Sequence, residues 1–323
     1  MSSDELVLAT RRPTPIERLD DAGLWVKRDD LIAEPYGGNK VRKLQRLLGA
    51  ARAAGKSRVL TLGAAGSHQV VATALYGRRE GFEVEAVLVP QPASEHARRN
   101  LRVALAQGLR PIVAPSWAVA PAIVAAHVRR DKCFVPLGGS SALSSLGFVD
   151  AAKEVAAQVA AGAMPEPDVV VVAMGSGGTA AGLAVGFEVA GMRTRVTGVA
   201  ISQPVPVVSL MARRLAKRTG ELAGLSRSRV ASAVERIDVE RRWLGRGYGH
   251  ATPEGQAAIA EAARSGITLD ATYTGKAFAC ALWIARQGAP RAVLYWHTLS
   301  TAPLDPLLVG APDLPPDVAR LLR

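Results

Sequence analysis

The sequence predicts an α/β protein, and three observations carry that expectation. From residue 39 onward, helical patterns alternate with short β-branched runs, as crossover helices and strands do in a parallel sheet. The apolar run Val169-Val170-Val171-Val172-Ala173-Met174 reads as a buried strand that passes directly into glycines. A chain of 323 residues with 49% apolar side chains is long enough for two domains, each with its own core.

A first series reads as helix over 41–54, strand over 58–62, helix over 69–79, strand over 84–89 and helix over 95–107, then strand over 111–113, helix over 118–129 and strand over 133–136. That is the size of one small doubly wound domain. A Gly/Ser-rich stretch at 138–145 precedes a second series: helix over 148–161, strand over 168–174, a glycine loop, helix over 180–190 and strand over 195–201. Helices follow over 205–219, 253–266 and 275–286, with a strand over 292–296. The proline-rich tail after Thr301 is expected to wrap the surface.

Composition excludes several classes. The longest apolar stretches, 169–174 and 118–128, are too short to span a bilayer, which needs about 18 residues or more. Residues 1–10 carry Asp4 and Glu5 and lack the basic and apolar segments of a secretory signal, so a cytoplasmic protein is expected. Cys133 and Cys280 are far apart and show no metal-ligand spacing, so neither a disulfide framework nor a metal site is expected. The net charge of +12 invites a nucleic-acid reading. Its 40 basic residues, mostly arginine, are however scattered singly and in short clusters without interleaved aromatics, so no nucleic-acid partner is expected.

Two segments carry chemistry. In Gly175-Ser176-Gly177-Gly178-Thr179, free amides and the positive end of a helix dipole would converge after a strand, which suits a phosphomonoester. The loop lacks the Lys-Ser/Thr ending of a nucleoside-triphosphate loop and the GxGxxG spacing, and a tight turn without a ligand is the alternative. In Gly37-Gly38-Asn39-Lys40, two glycines allow close backbone approach, Asn39 can cap the following helix, and a lysine sits in its first turn. A cation there meets an unfavourable dipole that lowers its pKa, as an imine-forming lysine requires; a solvent-facing lysine is the alternative. A phosphate loop and an imine lysine together are the two anchors of pyridoxal 5'-phosphate.

With these segments, Thr14-Pro15-Ile16, Leu24 to Asp30, Gly37 to Leu44, Pro136 to Ser140, Leu146 to Ala152 and Tyr273-Thr274-Gly275-Lys276, nearly the whole chain resembles one family. It is similar to the 1-aminocyclopropane-1-carboxylate deaminase and D-cysteine desulfhydrase branch of the pyridoxal-phosphate enzymes with the tryptophan synthase β-like fold, fold type II. The resemblance implies Lys40 as the cofactor lysine, Gly175 to Thr179 as the phosphate cradle and Asn39 and Thr298 as further cofactor contacts. It also implies a large cofactor domain from 1–43 and 144–323, a small inserted domain from 44–143, and a homodimer. Lys276 is the rival lysine, and its family counterpart does not hold the cofactor.

Three departures qualify the resemblance. At Gly66-Ser67-His68-Gln69 the family usually shows Gln-Ser-Asn and a polar residue: Ser67 and Gln69 fall at the substrate carboxylate, and His68 stands where an Asn meets the cofactor's 3'-oxygen, as donor or as acid/base. At His297-Thr298-Leu299-Ser300 the family commonly has His-Thr-Gly-Gly, so Leu299 and Ser300 add bulk on the substrate side. Thr274 matches the desulfhydrases' hydroxyl residue at the ring nitrogen rather than the deaminases' glutamate. Tyr248 and Tyr273 match the two tyrosines over the substrate. The implied activity is α,β-elimination with deamination of a small amino acid, as a D-cysteine desulfhydrase performs. Cyclopropane deamination, β- or γ-replacement, and cofactor binding without catalysis are the alternatives.

Overall fold

The computed structural model of the protein describes residues 6–19, 23–287 and 292–323. The chain divides into two compact units. One holds Leu44–Gly139, Ala302–Arg323 and the described N-terminus as far as Leu8; the other holds Ala9–Lys43 and Ser140–Thr301. The second boundary thus falls between 139 and 140 rather than 143 and 144. The tail also groups with the smaller unit, against the expected assignment to the larger, because Gln91 N–H donates to Leu321 O at 2.9 Å and Ala93 N–H to Arg323 O at 3.2 Å.

The smaller unit contains most of α1 (Lys40–Ala53), then β3 (Arg58–Ala64), α2 (His68–Arg79), β4 (Glu83–Val89), α3 (Glu95–Ala106), β5 (Arg110–Val113), α4 (Ala120–His127) and β6 (Lys132–Val135). Its sheet is parallel in the order β5-β4-β3-β6. The chain reverses direction across the sheet between β3 and β6, and such a switch point opens a crevice beyond the strands' carboxyl ends. Ser67 and His68 follow β3 at that end.

The larger unit contains β1 (Ile16–Arg18), β2 (Leu24–Lys27), α5 (Ala142–Ala160), β7 (Val169–Met174), α6 (Gly178–Val189), β8 (Arg195–Ala200), α7 (Val205–Leu222), α8 (Arg227–Glu235) and β9 (Ile237–Glu240). It is completed by α9 (Pro253–Arg264), α10 (Thr274–Ala285) and β10 (Val293–Trp296); a short α11 (Pro316–Ala319) lies in the tail. The sheet order is β1-β2-β10-β7-β8-β9, with only β1 antiparallel. Its switch point lies between β7 and β10, so the glycine loop and the segment from His297 leave neighbouring strands at the same edge of the crevice. Along β7 the faces alternate: Val170, Val172 and Met174 pack with α5 and α6, whereas Val171 packs with α9 and α10.

Among the elements that differ from the periodicity are α5 and β9. α5 begins at Ala142, because Ser141 and Ser144 form a reciprocal capping box inside the stretch that reads as a linker. The edge strand β9 has the polar sequence Ile-Asp-Val-Glu, which gives little strand signal; its pairing with β8 holds it in the sheet.

Candidate active site

Lys40 opens α1, and its segment is clamped by the chain leaving β10. Asn39 N–H donates to Thr298 O at 3.1 Å, and Gly37 N–H donates to Ser300 Oγ at 3.0 Å. Gly38 has φ +84°, and a Cβ there would stand 2.7 Å from Thr298 O and 2.9 Å from Ser300 N. Leu299 is buried between these two contacts. Beneath Lys40, the fully buried Arg42 grips Asp29 with Nε at 2.9 Å and Nη2 at 2.7 Å, and Trp296 Nε1 donates to the same carboxylate at 2.8 Å. Burial pulls the Asp29 pKa upward, but the charge and hydrogen bonds of Arg42 hold it below its ordinary value. The Lys40 amine is lowered to about 8 by desolvation.

Asn39 reaches beyond its own helix. Its Nδ2 donates to Thr179 Oγ1 at 3.2 Å, tying the lysine segment to the glycine loop. Gly177 takes φ +81°, and a Cβ there would stand 2.7 Å from Ala212 Cα. At Gly178 a Cβ would fall 2.4 Å from Ser140 Oγ and 3.2 Å from Ser145 Oγ. The first amides of α6 therefore open into a cradle that only glycine leaves clear.

One member of this cradle carries no role in the sequence reading. Lys43 Nζ donates to Ser140 Oγ at 2.9 Å, and Ser140 Oγ lies 2.7 Å from Ser176 Oγ. The lysine is buried, and desolvation together with the charge of Lys40 holds its pKa well below the ordinary range. Ser145 Oγ is buried without a hydrogen-bond partner among the described residues. A buried amine, serine hydroxyls and free helix amides form a donor set that fits a phosphate. The available signal was spacing: Lys43 is three residues after Lys40, one turn further along α1.

Tyr248 and Tyr273 meet edge-on with ring centroids 5.6 Å apart. Their placement rests on two devices. Lys276 is spent on Leu244 O at 2.9 Å and Gly247 O at 3.0 Å, which holds the turn immediately before Tyr248. Asp270 gathers the start of α10: Oδ1 accepts from Tyr273 N at 2.7 Å, and Oδ2 accepts the Thr274 hydroxyl at 2.7 Å. In return the Thr274 oxygen accepts from Asp270 N at 2.7 Å. Donation from Thr274 to a ring nitrogen would therefore have to replace its bond to Asp270.

Ser67, His68 and Gln69 belong to the smaller unit. Ser67 Oγ caps α2 by accepting from Gln69 N at 3.2 Å. The Gln69 amide is buried and donates to Thr73 Oγ1 at 2.7 Å. His68 Nε2 lies 3.0 Å from His96 Nε2.

Residues 7–298, which include the lysine segment, both tyrosines and the glycine loop, match the family described as pyridoxal-phosphate dependent enzyme. The chain belongs to the pyridoxal-phosphate dependent enzyme family. This enzyme is 35% identical over 307 residues to the nocardicin C-9' epimerase of Nocardia uniformis subsp. tsuyamanensis, covering 92% of each chain. It is 34% identical over 287 residues to the D-cysteine desulfhydrase of Klebsiella pneumoniae, covering 83% of this chain and 84% of the relative. A crystal structure of an ACC deaminase homologue superposes with a TM-score of 0.78 at 31% identity, covering 94% of this chain and 95% of the other. The fold is therefore that of a fold type II pyridoxal-phosphate enzyme. Among the described residues, no helix is long and apolar enough to cross a membrane.

Proposed function

We propose that this pyridoxal-phosphate enzyme removes a β-substituent from a small amino acid and releases the deaminated keto acid, in the manner of a D-cysteine desulfhydrase. The observation that carries this reading is the neutral Thr274 hydroxyl at the head of α10, with its proton directed to Asp270. Bound pyridoxal phosphate supplies an electron sink for charge developing at the substrate's α-carbon.

The chain's own residues supply the rest. Lys40 Nζ, desolvated and already lowered to about 8, holds the cofactor and takes the α-proton. The amides of Gly175 to Thr179, with Ser140, Ser176 and Lys43, bind the phosphate. Tyr248 and Tyr273 deliver a proton to the departing substituent. Ser67, His68 and Gln69 are assigned to the substrate carboxylate and its surroundings, and Leu299 and Ser300 to the limit on substrate size. Two free cysteines fit a cytoplasmic enzyme. We also assign a homodimer, which sedimentation of the purified protein tests.

Epimerisation is the second reading, favoured by the 35% identity to nocardicin C-9' epimerase and by the paired tyrosine hydroxyls. It shares the first proton removal and differs in returning that proton to the opposite face. Both enantiomers of cysteine and serine, β-chloroalanine and 1-aminocyclopropane-1-carboxylate should be assayed for keto-acid release, with α-deuterium uptake followed in parallel. Keto acid from a β-substituted substrate supports elimination. Deuterium uptake and inversion without keto acid would replace it with epimerisation.

A further inference from the structure

His68 stands at the start of α2, and α3 presents His96 and Asn100 one turn apart. Asn100 is fully buried, and its Nδ2 lies 2.9 Å from Gly66 O and 3.2 Å from His96 Nε2. A carbonyl only accepts, so the NH₂ end of the amide faces Gly66, and its second hydrogen is directed to the histidine. His96 Nε2 is therefore an acceptor, and the proton of a neutral His96 sits on Nδ1. The same His96 Nε2 lies 3.0 Å from His68 Nε2. Two ring nitrogens at that distance need one proton between them; with His96 accepting, His68 Nε2 carries it, in a three-centre bond shared with Asn100.

We propose that Asn100 and His96 lock His68 in the Nε2–H tautomer, making Nδ1 the atom through which His68 accepts a hydrogen bond or a proton. His96 and Asn100 are then positioning residues. They select a ligand group that presents a hydrogen, such as a hydroxyl or an ammonium, over a bare carboxylate. A carboxylate becomes a partner only after His68 Nδ1 takes up a proton, which also turns its bond to His96 into a charge-assisted one. Of the two roles that the sequence suggests for His68, donor or acid/base, this one is the acid/base role. The use of the tautomer in the reaction rests on the proposed function; the tautomer itself stands on the smaller unit alone.

Two-bond proton–nitrogen correlation spectra of the ¹⁵N-histidine-labelled holoenzyme test the lock, with His68→Gln and His96→Gln assigning the resonances. His68 should show a pyridine-type Nδ1 and a pyrrole-type Nε2, and His96 the reverse. His96→Leu, at an exposed position, should leave the thermal melt intact while the His68 pyridine-type signal moves to an averaged value. His96→Gln, whose carbonyl can accept, should restore it. A proton on His68 Nδ1 in the unaltered protein, or a His68 pattern unmoved by His96→Leu, would overturn the proposal. If the lock is observed but His68→Gln leaves KM and kcat unchanged, the lock stands and the placement of His68 in the site falls.

Discussion

The hydroxyl oxygens of Tyr248 and Tyr273 lie 2.6 Å apart, close enough that one must donate to the other. Burial pushes Tyr248 up to about 12, with its bond to Tyr273 pulling partly back, and burial with the neighbouring Tyr248 pushes Tyr273 well above its ordinary range. Both are neutral at pH 7. A pair of this kind can pass a proton along as a unit.

If the pair delivers the proton to the leaving group, Tyr248→Phe and Tyr273→Phe should each lower keto-acid release by about 100-fold, within the usual range for a lost general acid. The double variant should be little worse than either single one, since groups that act together are not additive. Deuterium uptake at the α-carbon should survive in all three variants. Additive losses in steady-state kinetics would mean that the two hydroxyls act separately.

The Lys40 amine gives a pH signature in the cofactor-free protein. Its pKa falls from the ordinary 10.5 to about 8 in the folded chain, so between those values the unfolded chain binds a proton that the folded one does not. Stability should therefore rise with pH from about 8 to 10.5, and the charged amine should be a burden below 8. Lys40→Met should remove its own share of this rise, leaving that of Lys43, and raise the urea midpoint at pH 7. Equal midpoints for the two proteins at pH 7, with parallel profiles above it, would contradict the desolvation argument.

Lys43 should show opposite effects on stability and on binding. Replacing a buried, desolvated amine by methionine removes an unfavourable burial, so the cofactor-free Lys43→Met protein should melt higher. The same change removes the amine that donates to Ser140 beside the cradle, which a bound phosphate would favour in its charged form, so pyridoxal phosphate should bind about 10- to 100-fold more weakly, as expected for a lost charge-assisted hydrogen bond of about 1.5–3 kcal/mol. Titration of the stripped protein with cofactor, followed by absorbance, checks the second effect. Unchanged affinity would make Lys43 a structural member of α1 only.

Much of this arrangement is legible in the sequence. The four-valine run entering Gly175 announces a strand, a turn and a helix N-terminus from local chemistry alone, and the β-α alternation reports the two parallel sheets. What stayed hidden depends on partners distant in the sequence. Nothing near Asn39 points to Thr179, some 140 residues away, so the local sequence suggests no more than a capping role. Lys43 reads as an ordinary helix lysine until Ser140 comes beside it. A Pro-rich composition suggests only a surface wrap, and the tail's pairing through Leu321 and Arg323 with the segment after β4 cannot be read from it. His96 and Asn100 are four residues apart on one helix face, but their meaning depends on Gly66 and His68 across the unit.

Thr274 decides between reaction types, and its bonds to Asp270 sharpen what to expect. An acid beside a pyridine nitrogen keeps that nitrogen protonated and strengthens the electron sink, whereas a threonine oxygen supplies at most a neutral partner. Here the hydroxyl hydrogen is directed to Asp270 Oδ2 at 2.7 Å, which weakens its claim as a donor further. Loss of a good β-leaving group draws electrons away as the α-proton leaves, so it needs less of the sink than opening an unactivated cyclopropane. The unaltered enzyme should therefore release keto acid from β-chloroalanine or one enantiomer of cysteine, and slowly or not at all from 1-aminocyclopropane-1-carboxylate. Thr274→Ser keeps both bonds to Asp270 and should keep that preference. Thr274→Val cannot hold Asp270 at the head of α10 and should lower the melting temperature as well as the rate, because a half-buried carboxylate loses a donor. Thr274→Glu brings a second carboxyl beside Asp270, so the two will share a proton; the absorption of the bound cofactor should shift, with cyclopropane turnover still blocked by Leu299 and Ser300. Efficient turnover of the cyclopropane substrate by the unaltered enzyme, with none for any β-substituted amino acid, would reverse the role assigned to Thr274.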